Sequence, residues 1–94
     1  NRWQLHSFVY DGSAATNAQK LRYRYNKADQ VLTITGTIAA KSNASNDNYV
    51  WAAQDTSSSN AFKGYIGEVL LFNKALSSGE LSGIETYLGN KWGI

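Results

Sequence analysis

Seven carboxylates and a single histidine carry most of the acid–base capacity of this 94-residue chain, and their spacing pairs none of them for catalysis. Glycoside hydrolysis needs two carboxyl groups facing across one bond. Glu68 sits in an apolar run with no identifiable carboxylate partner. Glu80 follows Ser77 at the S-x-x-E spacing of a helix capping box, which accounts for it, and Glu85 lies on the same helix. His6 falls inside a strand, without a serine–aspartate pair or a second ligand, and reads as an ordinary side chain. With no cysteine there is neither a disulfide framework nor a thiolate zinc site. These residues describe a protein that is not an enzyme, with no catalytic site and no cofactor.

Binding chemistry has more to work with. Asp11, Asp47 and Asp55 stand in loops beside asparagine or serine oxygens, the hard ligands that calcium takes, although no EF-hand spacing is present. A calcium ion, if held, belongs at Asp47, Asn48 and Asp55. Trp51 and Tyr49, with Tyr10, offer flat rings on which a sugar stacks, and Asp47, Asn48 and Asp55 offer acceptors for its hydroxyls. Against this stands the use of large aromatics as core, the reading preferred for Trp3 and Trp92 and also, over sugar stacking, for Trp51. Lys20, Arg22 and Arg24 alternate along one strand face and form a basic ridge roughly 13 Å long. It suits an anionic glycan or an acidic neighbouring subunit, or is simply solvated. Tyr23 and Tyr25 point away from it, unlike the aromatic-interleaved surfaces that hold nucleic acid, and the net charge of +2 is mild. No nucleic-acid partner is expected.

The elements that must position these groups are mostly strands. Residues 3–10 read as a strand with Trp3, Leu5 and Val9 on one face and Phe8 and Tyr10 on the other. Asp11-Gly12-Ser13 is a turn and 14–19 a loop. Residues 20–25 alternate, with Leu21, Tyr23 and Tyr25 inward and the basic ridge in water. After a turn over 26–30, residues 31–38 make the next strand, with Leu32, Ile34 and Ile38 inward and the threonines outward. Residues 42–48 and 54–60 are polar loops around a short strand at 49–53. Residues 65–72 are apolar on both faces apart from Glu68, the pattern of a central strand. Leu81, Ile84 and Leu88, beside Tyr87, then share one face of a helix opened by Ser77. Trp92 should pack back on the sheet.

The segment FKGYIGEVLLFNKALS, 62–77, with Glu80, Leu81, Ile84, Tyr87, Leu88 and the closing Lys91-Trp92-Gly93-Ile94, resembles the C-terminal end of laminin-G-like, concanavalin-A-like jelly-roll domains. Such domains occur in secreted bacterial proteins and phage virions. Trp3 with Val9-Tyr10-Asp11-Gly12 is similar to their W…YDG strand and turn. Tyr25-Asn26, followed by 31–34 and 36–38, is similar to their central hairpin, with Lys27 where the family places glycine.

The resemblance implies an all-β jelly-roll β-sandwich, or its C-terminal half, with a short C-terminal helix. It implies glycan-binding relatives and calcium at loop ends. One domain spans 1–94, read as the C-terminal part of a longer chain. A domain of this size buries roughly 60–65% of its unfolded surface, and a half sandwich leaves edges and an apolar face open to another chain. The expected role is a structural or interaction module of a virion or extracellular assembly, working in decoration, cementing or adhesion. Its partners are protein neighbours or the upstream part of the same protein. The alternative is a carbohydrate-binding, lectin-like receptor-recognition unit. No run reaches the ~18 apolar residues of a bilayer span, so no membrane insertion is expected.

Overall fold

The computed structural model describes residues 2–41 and 61–94. Its regular elements are β1 (His6–Tyr10), α1 (Asn17–Lys20), β2 (Leu21–Tyr25), β3 (Ala28–Gln30) and α2 (Ser78–Trp92). The strands form an antiparallel sheet in the order β1-β2-β3, with His6 opposite Tyr25 and Tyr10 opposite Leu21 in the first pair.

Local chemistry sets each connection. Between β1 and β2, the Asp11 carboxylate accepts from the Ser13 amide at 3.0 Å and its hydroxyl at 2.6 Å. Such an Asx turn replaces backbone partners with a side chain. Gly12 is required here, because a Cβ would collide with the Ala40 carbonyl and the Tyr10 hydroxyl. α1 is a single turn capped by Thr16.

β2 and β3 join through Asn26 and Lys27, at φ 47° and 73°. Two successive positive φ values match the right-handed twist of a hairpin. The expected turn over 26–30 is therefore shorter, and Ala28–Gln30 pairs with Tyr23–Tyr25 as β3. Lys27 tolerates the position usually held by glycine, and its ammonium donates to the Ile94 carbonyl at 2.7 Å.

Two expected strands are absent from the described residues. Residues 31–38 keep their alternation, with Leu32, Ile34 and Ile38 half-buried and the threonines exposed, but no strand pairs with them. Side chains hold this segment instead. Asn17 binds the Gly36 carbonyl and the Ile38 amide, and Lys20 donates to the Ile38 carbonyl at 2.9 Å. Residues 65–72 also lie outside any helix or strand.

α2 forms as its cap dictates. Ser77 accepts from the Glu80 amide at 3.2 Å, and Glu80 accepts from the Ser77 amide at 3.1 Å. Gly93, left-handed at φ 69°, ends the helix. Leu81 meets Val9 and Leu76 in a three-residue core, with Ile84 packed on it.

Candidate interaction surface

The two faces of the sheet are chemically unlike; the expected faces of β1 hold, and those of β2 are reversed. Register places Ser7 opposite Arg24 and Val9 opposite Arg22, so these four share the face that carries the buried Val9. The basic ridge is thus a clamp rather than a solvated face. Arg22 donates to the Leu76 carbonyl at 3.2 Å. Arg24 lies 3.2 Å from Asp29, bonds the Lys27 carbonyl, and places Nε 3.1 Å from the carboxylate of Glu85. Glu85 is only 2% exposed. The separation makes an ion pair, but the Nε–H is not aimed at the oxygen, and both atoms lack a hydrogen bond. Proximity is the stronger statement, since Coulomb attraction survives imperfect alignment. Arginine is suited to this position because its long stem packs along apolar neighbours while its head reaches charge.

The opposite face is aromatic. His6, Phe8 and Tyr10 stand across from Tyr25, Tyr23 and Leu21. The Phe8 and Tyr23 rings stack with centroids 4.7 Å apart, and His6 Nδ1 shares a hydrogen bond with the Tyr23 hydroxyl at 2.8 Å. Phe8 is 68% exposed, which leaves one side of this platform open.

Residues 65–72 are held at Gly67 and Glu68, and again just beyond the run at Leu76. At the first anchor the Trp3 and Trp92 rings, 4.7 Å apart, close over Gly67, where a Cβ would approach Trp92 to 2.8 Å. Glu68 accepts there from the Trp92 indole at 3.0 Å and pairs with Lys91 at 2.9 Å. These donors hold the Glu68 carboxyl below its usual range, and Glu68 in turn raises Lys91. At the second anchor Leu76 is buried under Arg22. Between these anchors Leu71 is 76% exposed, with Val69, Leu70 and Phe72 also exposed, and ahead of the first anchor Tyr65 is 89% exposed and Ile66 is exposed. No backbone group of 65–72 has a backbone partner among the described residues.

A groove of about 780 Å³ separates this run from β1, floored by Leu81, Ile84 and Leu88 of α2. A neighbouring cavity of about 610 Å³ lies among Trp3, His6, Phe8, Phe62, Tyr65 and Trp92. Trp3 and Trp92, expected in the core, therefore line a half-open cleft.

The sugar and calcium positions Tyr49, Trp51, Asp47, Asn48 and Asp55 lie outside the described residues. Asp11 is committed to Ser13, whose two hydrogen bonds lower its pKa. Among the described residues no three histidine, aspartate or glutamate side chains converge on a metal position, and no helix is long and apolar enough to cross a membrane. Sequence reasoning missed Glu85 as the buried partner of Arg24. Its place one residue after Ile84 on the apolar side of α2 was the available signal.

No family model, curated protein or solved structure matches this chain. The laminin-G-like resemblance rests on the sequence. The architecture itself is a small antiparallel sheet with a C-terminal helix.

Proposed function

We propose that this chain is a non-enzymatic structural and interaction module that works by burying residues 65–72 against polypeptide. One observation carries the reading: a run apolar on both faces, anchored at Glu68 and beyond its end at Leu76, with exposed side chains and a backbone unpartnered among the described residues. Apolar surface in water is costly at about 25 cal/mol per Å², and free strand-like backbone seeks a partner. The finer architecture we propose is a concanavalin-A-like jelly-roll sandwich of laminin-G type, supported by the sequence resemblance. The setting proposed on the same ground is a virion or another extracellular assembly, where the module decorates, cements or adheres. Its neighbour is another protein or the upstream part of its own.

A photo-crosslinking residue at position 71 tests this in the native assembly. It should give covalent adducts with polypeptide, whereas the same residue at the exposed Thr35 should not. Equal, background-level adducts from both positions would remove the reading.

The open Phe8–Tyr23 platform favours a second reading, carbohydrate recognition by stacking on aromatic rings. It requires saturable glycan binding that Phe8→Ala abolishes without unfolding the chain. A glycan array showing no binding to the native protein sets this reading aside.

A further inference from the structure

We infer that the groove beside β1 is filled by residues 65–72 of a second copy of this chain, exchanged reciprocally across a two-fold axis. The inference rests on the interaction reading above and names its partner.

The shape of the groove points to an extended chain. One wall is the unbroken stretch 5–12 and the other the unbroken stretch 68–76. A cavity lying on a sheet face meets alternate residues, because side chains alternate across the pleat; one lying at a sheet edge meets every residue. This groove is therefore in the plane of the sheet. Among the described residues β1 is an edge strand and 65–72 takes no backbone partner, so within that set both walls present unpaired amide and carbonyl groups. Only extended polypeptide offers donors and acceptors along both of its edges at the strand repeat of about 3.3 Å.

The occupant must also be apolar on the side that faces α2. That side meets Leu81, Ile84 and Leu88, beside a Glu85 already paired with Arg24. Run 65–72 has these properties itself, since its one charge, Glu68, is already held by Lys91 and Trp92. When the run of one copy enters the groove of the other, two-fold symmetry places both runs side by side and antiparallel. The order becomes β1, partner run, own run, partner β1, which closes both grooves and both free edges at once. A pairing centred on Leu70 sets Glu68 opposite Phe72 of the partner subunit and keeps the two glutamates apart. The apolar side chains of the run expose on the order of 600 Å², near the roughly 800 Å² that each partner buries in a standard interface.

Light scattering on residues 1–94 across a tenfold dilution tests this. The expected mass is twice 10.3 kDa, falling to one chain as the dimer dissociates. Leu70→Pro removes a donor from the shared strands, and Leu71→Lys places a charge in the seam. Each should weaken dimerisation by about a hundredfold while keeping the circular dichroism of the wild-type monomer. Val31→Lys, at a fully exposed site, should leave the dimer intact. Amide exchange should slow across 69–72 in the dimer only. A wild-type chain that stays monomeric overturns the exchange, as does a dimer that survives both Leu70→Pro and Leu71→Lys. The interaction reading falls separately, only if position 71 also crosslinks to nothing in the native assembly.

Discussion

Residues 65–72 and α2 are near neighbours in the chain and both carry a strong apolar pattern, yet only α2 is regular. The helix bonds each amide to a carbonyl four residues back, so its backbone is satisfied from within. Its first turn, where such partners run out, is closed by Ser77 and Glu80. The run has no such resource. An extended segment is satisfied only by neighbours, and β1 stands across an open groove from it. Local order comes from groups within reach along the chain, while strand order waits on a partner.

The joint between sheet and helix gives the largest expected effect. Arg24→Ala leaves Glu85 buried without its cation and should cost about 3 kcal/mol or more in urea unfolding. Adding Glu85→Leu should recover most of it. A loss below about 1 kcal/mol would mean that the pair contributes little to joining the two regions.

Proline substitution sharpens the contrast directly. Ser82→Pro, inside α2, should cost about 3 kcal/mol. Leu70→Pro, studied at a dilution where the chain is monomeric, should fall within about 0.5 kcal/mol of wild type, since Leu70 makes no backbone hydrogen bond among the described residues. Equal losses would break the comparison.

The smallest effect is set by pH. Lys74 and Ser77 lower the pKa of Glu80 from 4.5 to about 2. A carboxyl depressed by folding stabilises the folded chain above its unfolded pKa. That contribution shrinks as pH falls below about 4.5 and is gone below about 2. Helical circular dichroism should decline over this window in the wild type. Glu80→Gln should lack that component and keep the smaller one set by Glu68, which Lys91 and Trp92 hold low.

The same division explains what could be read from residues alone. The capping box, the face of Leu81 and Ile84, and the strands ending at Tyr10 and Tyr25 were legible because neighbouring residues specify them. The turn after Tyr25 was placed but drawn too long, over 26–30, because Lys27 is an unusual occupant of a left-handed position, where its ammonium reaches Ile94. The faces of β2 were reversed for a different reason. Alternating tyrosine and arginine is amphipathic whichever side turns inward, and Glu85, sixty-one positions from Arg24, decides the matter. Strand pairing at 31–38 and 65–72 was expected from β-forming composition, which names a willing strand but supplies no partner. The candidate groove was visible only as an apolar run; its wall along β1 required three dimensions.

The contact of Trp3 with Trp92 makes the molecule report on its own closure. Two indoles with centroids 4.7 Å apart and planes tilted by 58° couple their electronic transitions. The coupling should add a signed exciton couplet to the ultraviolet circular dichroism and vanish when either ring is replaced. Because the rings also clamp Gly67, the couplet records optically whether the segment leading into β1, the end of α2 and the head of the apolar run are still gathered together.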